Sequence, residues 1–312
     1  MSFKVLITDK IESVCADVFA KASFLAEEKP TLPAKDVEAI IGGYDALVVR
    51  SATEVTEAIL KKGTEGALKI VGRAGAGVDN IDLAAAKRLG VEVINTPGVN
   101  ANAVAELVIS YLIILSRKLW PALDSLKAGK WDKKSLTGFE IKGKTIGLIG
   151  LGAVGRLTAA KAKALGLKVL GYDPYFSADS AETLGVKKAE LSEIFSQSDF
   201  ISLHLPKTPE TTNLVNQTTL ALMKKSAFLI NCARGGLVDE KALYVALKEG
   251  HLAGAAADVF EEEPPGPSPL LELPNFVASP HIGASTVEAQ LGVAIKAAEL
   301  IVEYLTKGSF TS

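Results

Sequence analysis

One stretch, Lys144 to Asp173 (KTIGLIGLGAVGRLTAAKAKALGLKVLGYD), leaves few options for what this chain can fold into. Thr145 to Ile149 is a short apolar run of the kind that forms a buried strand. Gly150, Gly152 and Gly155 follow at fixed spacing, and residues through Leu165 have helical composition with an apolar stripe. Leu167 to Tyr172 reads as a second strand, ending in Asp173. Strand, glycine turn, helix, strand and acid make up the layout of a dinucleotide-binding unit. Gly150 permits the tight turn, Gly152 lets backbone approach a pyrophosphate, and Gly155 lets the helix pack closely on the strand. The free N–H groups at the helix start, where the helix dipole is positive, receive phosphate. Asp173 lies eighteen residues past Gly155. A carboxylate at that place accepts hydrogen bonds from ribose hydroxyls and repels a 2′-phosphate, which favours NAD over NADP.

A chain of 312 residues has room for about two domains, and a hydrophobic content of 48% is enough to fill their cores. The net charge of −2 argues against a general attraction to nucleic acid or membrane. Cys15 and Cys232 are far apart and form no metal-ligand spacing, so no metal is expected and a reducing compartment is. The N-terminus, MSFKVLITDK, has no charged region followed by a cleavable apolar core, and apolar stretches are broken by charge before membrane-spanning length. The expectation is a soluble cytoplasmic protein.

Before the glycine stretch, strands are predicted at 3–8, 46–49, 69–72 and 91–94. Helices are predicted at 11–21, 55–62 and 82–89, with Asp82 as N-cap. This alternation implies a parallel sheet with helices on both faces. It carries its own glycine-rich loop, Arg73-Ala74-Gly75-Ala76-Gly77. Asn95-Thr96-Pro97-Gly98 breaks the pattern and marks a domain crossing. A long apolar helix over 101–119 and an irregular arm over 121–143 follow. Trp120 and Trp131 flank the arm, either as packing groups or as cover for a partner subunit. Later strands are predicted at 200–203, 227–230, 253–258 and 276–279, with helices at 191–196, 217–223 and 240–249. A final helix over 286–306 that returned to the first domain would make that domain discontinuous. The fold class expected is α/β. It has two doubly wound parallel-sheet domains: residues 1–98 plus 285–312, flavodoxin-like and substrate-binding, and residues 99–284, a Rossmann NAD-binding domain. A cleft is expected between them.

Ligands of open α/β sheets bind past the C-terminal ends of strands. The polar groups there are Asp173, His204, Arg234, Asp258 and His281, with Glu263 in the loop after Asp258. Arg234, followed by Gly235 and Gly236, suits two parallel bonds to a carboxylate, though a structural ion pair would also use it. His251 reads as a solvated turn residue, and His204 as a cofactor-pocket or a structural histidine. His281, between Pro280 and Ile282-Gly283-Ala284, is well placed for proton transfer, because imidazoles titrate near neutrality. A carboxylate bonded to that ring would orient it, but the run Glu261-Glu262-Glu263 leaves open which one does so. Asp258, at the end of an alanine-rich strand, suits either fixing a nicotinamide ring or capping a turn.

These residues together resemble the NAD-dependent D-isomer-specific 2-hydroxyacid dehydrogenases, over essentially the whole chain. The stretches that carry the resemblance are VRSAT (49–53), VGRAGAGVDN (71–80), NCARGGLVD (231–239), Asp258-Val259-Phe260 through Pro265, and SPHIGASTVEAQ (279–290). Within the family it is similar to the members that oxidise 3-phosphoglycerate on the route to serine. The resemblance implies that Arg234 binds the substrate carboxylate and polarises the C2 oxygen. It also implies that His281 is the general acid–base and that Glu263, just before the proline, tunes it. Hydride would pass between C2 and the nicotinamide, with the positive charges of Arg234 and His281 facing the developing alkoxide. Asp258 would hold the nicotinamide carboxamide, Ala153 and Val154 would offer backbone to the pyrophosphate, and Asp173 would hold the adenosine ribose. Leu205, Cys232, Ala233, Gly283 and Ala284 would line the cofactor. The loop Gly75, Ala76 and Gly77 would give N–H groups to the substrate carboxylate. Arg50, with Ser51 beside it, and more weakly Arg73, would meet a substrate phosphate. The cleft would close on a hinge to exclude water.

The larger phosphoglycerate members carry a C-terminal regulatory domain, and a chain stopping at Ser312 is expected to lack a serine-binding site of that kind. Members that reduce glyoxylate, hydroxypyruvate or pyruvate share the Arg, Glu and His set, so those residues do not choose the substrate. A glyoxylate or hydroxypyruvate reductase is the alternative reading. A corepressor scaffold that binds NAD as a signal is a third, though no basic tail or disordered segment supports it. The expected partner is a small phosphorylated 2-hydroxy or 2-keto acid, with no nucleic acid and no membrane. A homodimer through the NAD-binding domain is also expected.

Overall fold

The computed structural model describes residues 2–175, 177 and 183–310. The chain divides into two compact units, Met1–Asn100 with Ser285–Ser312, and Ala101–Ala284. Thr311 and Ser312, at the end of the expected first domain, lie outside the described residues.

The first unit is built on five parallel strands: β1 (Lys4–Ile7), β2 (Leu25–Glu28), β3 (Ala46–Val49), β4 (Ile70–Arg73) and β5 (Glu92–Ile94). Their order, β2-β1-β3-β4-β5, is the flavodoxin-like doubly wound order. β3 is buried at all four residues, which is why its sequence is a continuous apolar run rather than an alternation. β2 was not predicted: LAEE is half acidic and mostly exposed, as an edge strand tolerates. The helix Ala34–Ile40 was not predicted either. The closing helix, Val287–Lys307, belongs to this unit. Its Ala294, Ala298 and Ile301 are fully buried against Val5, Val48 and Ile70 of the sheet, which accounts for the small residues on that face. Thr286 caps it by accepting from the Ala289 amide.

The second unit holds seven parallel strands: β6 (Thr145–Ile149), β7 (Lys168–Tyr172), β8 (Lys187–Lys188), β9 (Phe200–Leu203), β10 (Phe228–Asn231), β11 (Gly254–Ala257) and β12 (Phe276–Ala278). They lie in the order β12-β11-β10-β9-β6-β7-β8. The winding reverses between β6 and β9, the switch point where this kind of sheet opens for a ligand. The helix Ala101–Ser116 packs on this sheet with Val108, Tyr111 and Leu112 buried, each removal from water stabilising by roughly 1.5–3 kcal/mol.

The expected irregular arm is a helix at its start, Leu119–Lys127. Pro121 in its first turn concealed it, yet first-turn amides have no acceptor within a helix, so a proline costs little there. Lys118, in the left-handed region at φ +48°, separates it from the preceding helix. Trp120 is 47% exposed and Trp131 is 85% exposed, so Trp120 packs within this chain over part of its surface and Trp131 hardly at all.

Candidate active site

The glycine turn sits at the switch point. Gly150 has φ +100°, and a side chain there would run into the backbone of His204, while one on Gly155 would overlap the Gly150 carbonyl. These two positions therefore need glycine for the turn and for close helix–strand approach. Gly152 differs, because a Cβ there would meet nothing within 4 Å. It is the N-cap of the helix Ala153–Ala164 and offers no side-chain cap, which leaves the first-turn amides of that helix for a ligand. The Asp173 carboxylate braces the turn by accepting from the Leu151 amide (2.8 Å) and the Tyr175 amide (2.9 Å). Its remaining lone pairs can receive ribose hydroxyls. His204, next to Gly150, has a buried Nε2 with no hydrogen-bond partner, and burial pushes its pKa down to about 4. An open cradle at Gly152, free helix amides and an acid at the strand end fit a dinucleotide.

Arg234, Asp258 and His281 follow three neighbouring strands, β10, β11 and β12. Asn231, 5% exposed at the end of β10, shapes the Arg234 loop by donating to the Arg234 carbonyl (3.0 Å) and accepting from the Ala233 amide (3.1 Å). The Arg234 guanidinium rests on the Ala233 carbonyl at 2.7 Å. Cys232 is buried beside it, and burial raises its thiol well above the ordinary range, so it behaves as a small packing group. Leu205, Ala233 and Ala284 are half-buried, and Gly283 is buried.

Glu263 is the glutamate that meets His281: its Oε2 lies 2.6 Å from Nδ1. Its Oε1 accepts from the Phe260 amide at 3.0 Å, so the carboxylate is fixed at both oxygens. His281 itself has φ +52°, an uncommon conformation for a residue with a side chain. Asp258, 1% exposed, holds this turn. Oδ1 accepts from the Ser279 hydroxyl and the Ile282 amide, and Oδ2 accepts from the Gly283 amide (2.7 Å). Asp258 is thus engaged by the turn that carries His281.

In the first unit, Arg50 follows β3 and Arg73 ends the adjacent β4. The two arginines are held differently. Arg73 donates from Nε to the Arg50 carbonyl (3.2 Å) and from Nη1 to the Gly77 carbonyl, bracing two loops. The Arg50 guanidinium has no hydrogen bond or ion pair among the described residues. Asp9, buried at the end of β1, collects the amides of Arg50, Ala52 and Thr53 (2.5–3.3 Å), while Ser51 stays exposed. Asn80 bonds the Arg50 and Thr53 carbonyls at 2.8 and 2.6 Å. In the Gly75–Gly77 loop all three carbonyls face inward, accepting from Thr96, Asn95 and Arg73. The amides of Ala76 and Gly77 donate to no described group. Asp9 and Asn80 escaped the sequence reading, although Asp9, a strand-end acid in LITDK, carried the same signal as Asp173. Among the described residues, no group of three or more His, Cys, Asp or Glu is placed to hold a metal, and no helix is long and apolar enough to cross a membrane.

Comparison with known proteins adds the family. The D-3-phosphoglycerate dehydrogenase of Synechocystis sp. is 46% identical over 302 residues, which is 97% of this chain and 54% of that protein. The chain spans about half the length of the curated relatives it matches. Among solved structures, a protein of Thermus thermophilus is 32% identical with a TM-score of 0.89, covering 97% of both chains. A glyoxylate reductase of Paecilomyes thermophila is 28% identical with a TM-score of 0.89, covering 100% of this chain and 98% of that one. Residues 109–283 match the family model described as D-isomer specific 2-hydroxyacid dehydrogenase, NAD binding domain, so the chain belongs to the D-isomer specific 2-hydroxyacid dehydrogenases and its cofactor is NAD.

Proposed function

We propose that this chain catalyses the NAD-dependent oxidation of D-3-phosphoglycerate to 3-phosphohydroxypyruvate, a step toward serine. The observation that carries the dehydrogenase chemistry is the 2.6 Å bond between His281 and Glu263 at the ligand end of the NAD-binding sheet, and the choice of substrate is supported by the 46% identity to a D-3-phosphoglycerate dehydrogenase. Bound NAD supplies the acceptor for the electrons leaving C2. With Nδ1 committed to Glu263, Nε2 is the ring nitrogen left to take the C2 hydroxyl proton. The neighbouring carboxylate stabilises the imidazolium that results. Arg234 pairs with the substrate carboxylate and draws charge from the C2 oxygen. Asp258 Oδ2 receives the carboxamide of the cofactor beside the Gly283 amide. Gly152, Ala153 and Val154 meet the pyrophosphate, and Asp173 meets the ribose. Arg50, whose guanidinium bonds to no described group, is assigned the substrate phosphate, and the Ala76 and Gly77 amides its carboxylate end. Arg73 is assigned to bracing rather than to the phosphate.

A homodimer through the second unit is part of the same reading. Trp120, Leu123, Leu126 and Trp131 leave a row of exposed apolar side chains, and Trp120 and Pro121 border an apolar pocket with Phe139, Phe228 and Val277. Both cysteines are free and buried, in keeping with the cytoplasm.

A rate comparison with NADH across phosphohydroxypyruvate, hydroxypyruvate, glyoxylate and pyruvate tests the substrate. Phosphohydroxypyruvate is expected to have the highest kcat/KM. Equal or faster turnover of hydroxypyruvate or glyoxylate would replace this reading with a reductase of those acids, the activity named for the Paecilomyes relative.

A further inference from the structure

The turn that presents His281 is tied to a residue on another element, 168 positions before Ser279 in sequence. Tyr111, on the helix Ala101–Ser116, is 2% exposed, and its hydroxyl is bonded to the Ser279 hydroxyl. Ser279 bonds Asp258 Oδ1, and Asp258 in turn accepts the Ile282 and Gly283 amides that follow His281. The direction of each bond follows from donor chemistry. A carboxylate only accepts, so the Ser279 proton points at Asp258. The Ser279 oxygen then needs a donor, and the single phenol proton of Tyr111 is the one in reach. The contact from Tyr111 to the Ala257 carbonyl, at 3.4 Å, is secondary. Burial raises the Tyr111 phenol well above its usual range, which keeps that proton in place.

We propose that Tyr111 and Ser279 are positioning residues for His281, forming a one-way hydrogen-bond relay, Tyr111 to Ser279 to Asp258, that holds the left-handed turn in the geometry that pairs Nδ1 with Glu263. Two observations make the relay more than packing. His281 at φ +52° is a conformation that persists only where its surroundings over-determine it. The amides on its C-terminal side are bound by one carboxylate, and the His281 amide itself donates to the Asp258 carbonyl at 2.9 Å. If Asp258 swings, the turn loses its anchors together. The Ser279 bond is the side-chain contact that fixes Oδ1, so removing the phenol proton loosens a ring about three bonds away.

The role assigned to His281 rests on the proposed function, so the test reads the ring as well as turnover. Only three histidines are present, and a spectrum of the imidazole nitrogens in the 15N-histidine protein resolves each, with His281→Ala giving the assignment. In the parent protein at pH 8, His281 is expected as the Nδ1–H form. In Tyr111→Phe, which keeps the ring volume, it is expected to become a mixture of both tautomers. In parallel, kcat is expected to fall about tenfold with substrate KM unchanged, since small misplacements of a catalytic group act on the chemical step. Ser279→Ala is expected to match it, and the double variant to be no worse than either single one, because both break one relay. A lowered melting temperature with an unchanged ring spectrum and kcat in Tyr111→Phe would overturn the proposal. Additive losses in the double variant would overturn it too. Absence of turnover with every 2-keto acid in the parent protein would overturn the functional reading instead, and an unchanged ring spectrum would then still overturn the relay.

Discussion

The two units solve the same construction problem in the same way and use the result differently. In each, a buried aspartate at the end of one strand gathers the amides of the loop that follows the next strand. Asp9 at the end of β1 holds the Arg50 to Thr53 loop after β3. Asp258 at the end of β11 holds the Ile282 and Gly283 amides after β12. In the second unit the loop so held carries a side chain paired at once with another, His281 with Glu263. In the first it carries Arg50, whose guanidinium has no partner among the described residues. A proton-transfer group has to be oriented before substrate arrives, so its partner is built in. A recognition cation has to keep its charge for the ligand, so its neighbours brace only the backbone. For these two loops the expected losses differ: kcat for the His281 loop, substrate affinity for the Arg50 loop.

The largest effect falls on the second unit. His281→Ala is expected to lower kcat by about 10²–10⁴-fold, the range for a positioned acid–base group, while NADH titration by fluorescence gives an unchanged Kd. Near-normal turnover would erase the distinction, because it would take His281 out of the proton path. A second test separates the units by acid. All three histidines lie in the second unit, and burial of the His204 ring brings its pKa down from 6.5 to about 4. The unfolded chain binds the proton first as pH falls below 6.5, so the native state loses stability between about 6.5 and 4 and no more below that. The ceiling is about 3 kcal/mol. Denaturant unfolding at pH 7 and pH 4.5 is expected to show this excess loss in the parent protein relative to His204→Gln. Equal losses in the two proteins would mean that His204 is protonated in the folded state as readily as in the unfolded one.

In the first unit the matching intervention is Asp9→Ala. It removes the acceptor for three amides and the Thr53 hydroxyl, and is expected to cost about 2 kcal/mol of stability, since the exposed Ala52 can turn to water while buried Thr53 cannot. Substrate KM should rise with kcat nearly unchanged. A fall in kcat at constant KM would mean that this loop is tied to the chemical step, contrary to the contrast drawn above.

How far these devices show in the sequence depends on how local they are. The central strands β3, β6 and β9 end where the apolar runs end, because a strand buried on both faces needs an unbroken run. The glycine turn was legible because each glycine meets its constraint within a few residues or at the next strand. Edge strands β2 and β8, with LAEE and KK, carry no apolar signature. Tyr111 and Ser279 are 168 residues apart, and Asp9 meets loop amides 41 to 44 residues away. No spacing rule reaches across such distances, so Tyr111 read as one more apolar residue of a long helix. Arg50 and Arg73 looked like a pair in sequence, and only the side-chain bonds tell the brace from the recognition cation.

That last distinction gives the smallest and most discriminating prediction. Arg50→Ala removes a guanidinium that bonds to no described group, so stability should stay within about 0.5 kcal/mol of the parent. The loss should appear only with a phosphorylated substrate. KM for phosphohydroxypyruvate is expected to rise about 10- to 100-fold, the worth of one charge-assisted contact to phosphate, and KM for hydroxypyruvate to change less than about twofold. Arg73→Ala is the control. It strips bonds from the Arg50 and Gly77 carbonyls, so it should lower stability and raise KM for both substrates alike. If instead Arg73→Ala alone discriminated the phosphorylated substrate, the two arginines would exchange roles, and Arg50 would not be the recognition group of the first unit.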